Sequence, residues 1–141
     1  MKHSLTRNRS VFENTENSTS FSVDYVQSSD DGLTWGRHRG RVYTAAGTGK
    51  EAGAPQVINV GGILVASFMT NENTSTPKLD GGHMKVVTSV DGGRSWATKA
   101  FVTGDTGSHW PGLFALNSTH FLALYSRDGL GAVSHIYRVG S

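Results

Sequence analysis

The sequence predicts an all-β fold, a partial β-propeller with about one complete four-stranded blade and parts of two others, and three observations carry that expectation. A turn motif occurs twice, a Gly-Gly pair separates two apolar runs, and the composition is that of many short strands joined by turns. The motif reads S-x-D-x-G-x-[TS]-W. Its first copy is Ser28-Ser29-Asp30-Asp31-Gly32-Leu33-Thr34-Trp35 and its second is Ser89-Val90-Asp91-Gly92-Gly93-Arg94-Ser95-Trp96. Asp tolerates turn conformations and accepts hydrogen bonds from nearby amides, Gly supplies a positive φ, and the hydroxyl side chains bind neighbouring backbone. The Trp is then expected to pin the turn to its sheet. In these two Asp boxes, Ser28, Asp30, Gly32 and Trp35, and Ser89, Asp91, Gly93 and Trp96, are expected to be structural and remote from chemistry.

Strand-like runs surround the boxes in a fixed order. Phe21, Val23 and Tyr25 alternate with Ser22 and Asp24 before the first box, and Arg41-Val42-Tyr43-Thr44 follows it. Pro55 to Val60 and Ile63 to Phe68 flank Gly61-Gly62, a two-residue hairpin signal. Lys85 to Thr88 leads into the second box, and Ala100-Phe101-Val102 follows it. Pro111 to Leu116 and Phe121 to Tyr125 then repeat the Pro-led strand and its partner, with Ala132 to Val139 as a third strand. A four-stranded unit whose turn motif always joins the third and fourth strands reads as a propeller blade, and the chain begins and ends inside blades. A small sandwich that borrows the hairpin motif is the alternative. Unpaired blade edges make self-association an expected property.

The remaining composition excludes several function classes. Of 141 residues, 17% are charged and the formal net charge is only +2, with the 13 basic residues scattered apart from the Arg37 to Arg41 cluster, so no nucleic-acid footprint is present. There is no cysteine, and the six histidines have no metal-ligand spacing. Met1 to Ser10 is polar and basic, which is neither a signal peptide nor a membrane anchor. Acceptor patterns for N-glycosylation stand at Asn8, Asn17, Asn73 and Asn117 and suit a secreted protein.

Ligand sites in closed repeats of this kind sit where loops from several blades converge. The strand order points to the loops on the face away from the boxes. Glu13, after Val11-Phe12, is expected in the place that Thr70 holds in the next blade, aimed at the axis as a carboxylate for glycosidic chemistry. Glu51, in a Gly-rich entry loop before Pro55, is the second candidate carboxylate. Asn71, His109, Trp110 and Arg127 are candidate substrate-binding residues, Trp110 as a stacking platform and Arg127 as a partner for a sugar oxygen.

Phe12-Glu13, the stretch Phe21 to Trp35, the run Gly53-Ala54-Pro55-Gln56-Val57-Ile58-Asn59-Val60-Gly61-Gly62, Val65 to Met69, and His109-Trp110-Pro111-Gly112-Leu113 together resemble glycoside hydrolase family 93. These are fungal exo-1,5-α-L-arabinanases of the Asp-box (BNR-repeat) sialidase-like superfamily. The resemblance covers residues 11–141 and leaves 1–10 as a non-matching N-terminal segment. It implies a six-bladed propeller, an extracellular setting, an arabinan-like oligo- or polysaccharide as partner, and retaining hydrolysis without cofactor or metal. It gives Glu13 the nucleophile's place and puts the acid/base glutamate in a preceding blade that this chain lacks. A retaining glycosidase holds its two carboxyl groups about 5 to 5.5 Å apart, so the chain alone is expected to be inactive. A noncatalytic carbohydrate-binding or assembly module is the alternative function. A true sialidase ranks last, because its substrate carboxylate needs an arginine cluster and only Arg127 is well placed.

Overall fold

The computed structural model of the chain describes residues 8–16, 20–37, 39–79, 82–101 and 107–140, of 98–101 the backbone alone. Among them are ten strands and no helix: β1 (Asn8–Asn14), β2 (Ser22–Ser28), β3 (Gly40–Thr44), β4 (Ala52–Val60), β5 (Ile63–Thr70), β6 (His83–Ser89), β7 (Ala97–Phe101), β8 (Ser108–Ala115), β9 (His120–Arg127) and β10 (Gly131–Arg138). They form three antiparallel sheets, β1-β2-β3, β4-β5-β6-β7 and β8-β9-β10, each a simple meander in chain order. β1 starts at Asn8, so the first sheet takes in three residues that the sequence reading sets apart. The second box therefore joins β6 to β7 and the first joins β2 to β3. Val102 and the Asn17 acceptor lie outside the described residues.

The hairpin at Gly61-Gly62 forms as its residues require. Both glycines have positive φ, 59° and 93°, the pair a type I′ turn demands, and β4 and β5 continue from it in register from Val60 opposite Ile63. A Cβ on Gly61 would lie 2.1 Å from the carbonyl oxygen of Ser118 in the β8–β9 turn. That turn thus rests directly on the β4–β5 hairpin.

The β4–β7 sheet is covered on both faces. β1 and β2 pack against β4 on one side, and β8 packs against β4 and β5 on the other. Alternation along β5 sends Ala66 and Phe68 into a core with Val23, Val42 and Val87, while Val65 joins a second core with Met84, Val86, Leu113, Phe121 and Tyr125. This explains why Val65, Ala66, Phe68 and Met69 are all apolar, with Ser67 buried among them, where a half-buried strand would alternate. Each face contributes transfer free energy at roughly 25 cal/mol per Å² of apolar area removed from water.

One polar cluster crosses the first of these cores. Lys85 of β6 and Glu72 form an ion pair at 2.8 Å, both side chains nearly dry, and Tyr43 of β3 closes the cluster by bonding to both. The Ala46 amide donates to the other oxygen of Glu72 at 3.1 Å. Burial opposes ionisation of Glu72, but hydrogen bonds from Lys85, Tyr43 and the Ala46 amide outweigh it and hold the carboxyl below its ordinary range. Burial, and then the bond to Glu72 and its charge, push the Tyr43 phenol well up. The Tyr43 ring also stacks on Phe68, with centroids 4.7 Å apart. The cluster ties two sheets together, and nothing in a single-sequence pattern brings these three residues into one place.

The two box tryptophans differ. Trp96 packs into the core between the first two sheets, whereas Trp35 is 45% exposed, so the expectation that each Trp pins its turn holds for the second box and is only half met in the first. Trp96→Ala is expected to lower the unfolding free energy by about 3 kcal/mol, and Trp35→Ala by less than about 1 kcal/mol. Chemical denaturation of the two variants checks this; equal losses would contradict the packing described.

Candidate functional site

The site begins with a bulge in β4. Register passes from Gly53 opposite Met69 to Gln56 opposite Ser67, so Ala54 and Pro55 together face the single residue Phe68. Pro55 has no N–H to lose from the ladder. Ala54 adopts φ +50°, and its amide is turned out of the sheet. That amide donates to Glu13 Oε2 at 3.0 Å, across the gap between the first and second sheets. The glutamate lies so close that a Cβ on Gly53 would come within 1.8 Å of Oε2 and 2.7 Å of Leu79 Cδ2. Gly53 is therefore the residue that makes room for Glu13.

The same device recurs in β8. His109 opposes Ser126 and Gly112 opposes Leu124, leaving Trp110 and Pro111 opposite Tyr125, and Trp110 has φ +52°. Its amide meets Met69 Sδ at 3.4 Å. Counting registers outward from the two boxes puts Glu13 opposite Val23 and Met69 opposite Met84, equivalent positions one repeat apart. Glu13 thus corresponds to Met69, not to Thr70 as the sequence reading expected. A one-residue slip along a strand reverses the side-chain direction. Both residues reach forward to the bulged amide of the following sheet.

Glu13, Ala54, Met69, Leu79 and Trp110 line a cavity of about 560 Å³ that is mostly apolar in its walls. Trp110 is 76% exposed and presents its indole at the rim. The Ala54 amide binds one Glu13 oxygen, Oε2, and the residue is part of the cavity wall. A carboxylate beside an open indole can bind the hydroxyls and the apolar face of a sugar ring at once.

The other expected site residues are placed differently. Glu51 Oε2 accepts the Leu79 amide at 3.0 Å, and its own amide donates to Asn71 Oδ1 at 2.7 Å. It stands behind Leu79 and does not line the cavity. Asn71 is fully buried, with Nδ2 on the Thr76 carbonyl at 3.3 Å. The expectation that Asn71 binds substrate is corrected accordingly: one end of its amide receives the Glu51 amide, the other binds the Thr76 carbonyl within the 71–79 loop, and no face of it reaches solvent. His109 Nε2 lies 3.2 Å from Asp128 Oδ1. Arg127 is at the end of β9 opposite Ser108, and Asp128 takes His109 as its partner. Among the described residues no three His, Asp or Glu gather as metal ligands, and no helix is long and apolar enough to cross a membrane.

The Asp boxes lie apart from this cavity. Ser28 Oγ donates to Asp30 at 2.7 Å and accepts the Gly32 amide at 2.8 Å, while the Thr34 amide donates to Asp30 at 2.8 Å. In the second box Ser89 receives the Gly93 amide at 2.7 Å, and Asp91 binds the Arg94 and Ser95 amides at 2.9 and 3.0 Å and Ser95 Oγ at 2.6 Å. The Thr34 hydroxyl and Ser28 hold Asp30 down to about 2, and the Ser95 hydroxyl and amide depress Asp91 further.

No family model matches the chain, and no curated protein matches it. Among solved structures, the fold is similar to that of a protein of unknown function from Dyadobacter fermentans DSM 18053, with a TM-score of 0.69 and 20% identity. The match covers 98% of this chain and 36% of that one, so the chain spans about a third of its structural relative. Identity at this level carries the fold alone.

The depressed Asp carboxyls make a pH prediction. Each ionises more readily in the folded chain than in the unfolded one, so its stabilisation is complete above the ordinary carboxylate pKa of about 4 and disappears as pH falls through the folded value, near 2 for Asp30. Asp91→Asn is expected to flatten the loss of stability between pH 4 and pH 2, measured by denaturant titration at each pH. An unchanged slope would show that the box carboxylate is not the titrating group.

Proposed function

We propose that the chain is a segment of a sialidase-like β-propeller from a secreted glycoside hydrolase of the exo-1,5-α-L-arabinanase kind, and that its cavity binds an arabinan-like sugar without turning it over. The observation that supports the reading is the pairing of Glu13 with the open Trp110 indole around one cavity. Glu13 is the residue that the resemblance implies as nucleophile, and its bond to the Ala54 amide fixes the carboxyl group at the cavity. Exposed turns at Asn73 and Asn117 suit glycan acceptors and hence secretion.

The retaining reaction needs a second carboxyl group opposite the first. Glu51 is engaged by the Leu79 amide behind the cavity wall, which favours a binding role for the isolated chain. Within that reading Trp110 stacks on the sugar and Glu13 accepts its hydroxyl protons.

Titrating linear 1,5-linked α-L-arabino-oligosaccharides against the chain, followed by indole fluorescence and by product analysis, tests both halves. Saturable quenching without release of arabinobiose is expected, lost in Trp110→Ala and weakened about tenfold in Glu13→Gln, equivalent to roughly 1.4 kcal/mol. Release of arabinobiose would overturn the binding-only half, and no response to any arabino-oligosaccharide would overturn the sugar.

A further inference from the structure

The chain presents two sheet faces that no other sheet among the described residues covers, although the Arg39 guanidinium lies 5.6 Å from the Phe12 ring on the first, and each copies a face that is covered in the middle sheet. In the β4–β7 sheet, Phe68, Val87 and Trp96 form the surface packed against the first sheet. Their equivalents in the first sheet, by the registers of β1–β2 and β5–β6 and by position in the boxes, are Phe12, Val26 and Trp35. All three residue types are the same. Val11, Val23 and Tyr25 alternate with these positions and face the β4–β7 sheet, so Phe12 and Val26 point the other way. Trp35 follows them and stands half exposed where Trp96 is packed.

The opposite end repeats the logic. Ile58, Val65 and Met84 belong to the surface of the middle sheet that packs on β8–β10. The matched bulges of β4 and β8 make Phe114 the equivalent of Ile58 and Leu122 the equivalent of Val65. Leu113, Phe121, Ala123 and Tyr125 are turned into the core, so Phe114, Leu122 and Leu124 lie on the uncovered side, joined there by Ile136 of β10. Phe114 is 53% exposed and Ile136 65%. Here both outer faces keep the apolar residues of an internal one.

We propose that this chain associates head to tail, the outer face of β1–β3 in one copy (Phe12, Val26, Trp35) seating on the outer face of β8–β10 in the next (Phe114, Leu122, Ile136). The occupant is a second copy because the molecule already contains this interface twice, once on each side of β4–β7, and its first and third sheets carry the two complementary halves of it. The contact is heterologous, so it either closes into a ring or grows as a chain of copies. It uses sheet faces, not strand edges, and does not depend on any sugar.

Sedimentation of the whole chain, of Trp35→Glu and of Ile136→Glu tests the proposal, with circular dichroism and a melting curve to check folding. Phe12→Ser and Phe114→Glu replace either variant that fails to fold. For the wild-type chain the mass should rise with concentration above the 15.1 kDa of one copy. Each variant alone should associate at least about tenfold more weakly, a loss of roughly 1.4 kcal/mol. An equimolar mixture of the two variants should restore a dimer, since each retains the half that the other lacks. A wild-type chain that stays monomeric at its highest soluble concentration would overturn the proposal. So would one variant that dimerises alone while the other does not, because that is the signature of a face pairing with itself.

Discussion

The Ala54 amide, turned out of the β4–β5 ladder by its bulge, has to find an acceptor in the partly buried space beside the cavity, and Glu13 supplies it. An amide that has left its ladder partner and lost its replacement is destabilising, so the bulge and the glutamate are a single unit. Gly53 follows from it, because any side chain there would strike the carboxylate. Leu79 packs into the same space and is fixed by Glu51, which in turn is fixed by Asn71. The cavity is what these constraints leave open. Met69 and the Trp110 amide repeat the arrangement one sheet later with a sulfur in place of the carboxylate.

The β4–β7 sheet has two dry faces, and the charged group between the sheets is matched in full: Glu72 is bound by Lys85, Tyr43 and the Ala46 amide, whereas Ser67 Oγ and Trp96 Nε1 are buried without a hydrogen-bond partner among the described residues. Removing one partner from a buried ion pair is far costlier than removing both. The same two-sided burial leaves the outer faces of the end sheets with residues suited to a neighbour. Stability of the middle sheet and the association surface of the chain thus share one origin.

Much of this fold was legible in the sequence because its signals are local. The boxes, the Gly61-Gly62 turn and the alternation of Phe21, Val23 and Tyr25 each act over a few residues. Strand lengths were underestimated at the bulges, since Gly53-Ala54-Pro55 and His109-Trp110-Pro111 read as entries to strands when β4 and β8 already run through them. Glu13 stands one position away from the register that the sequence suggests, because bulges and irregular strand starts shift a count that alternation alone cannot repair. Glu51 and Asn71 were selected as loop polar residues, and their mutual bond across the 51–71 separation is a tertiary fact. The Tyr43–Glu72–Lys85 cluster joins a strand, a loop and another sheet, and no spacing in the chain announces it.

The bond between the Ala54 amide and Glu13 is most directly tested by amide hydrogen exchange read residue by residue. In the wild-type chain the Ala54 amide should exchange as slowly as the ladder amides of β4 and β5 beside it. In Glu13→Ala it alone should lose that protection while Val57 and Ala66 keep theirs. Slow exchange at Ala54 that survives the substitution would contradict the account, since the glutamate would then not be what holds the bulge and shapes the cavity.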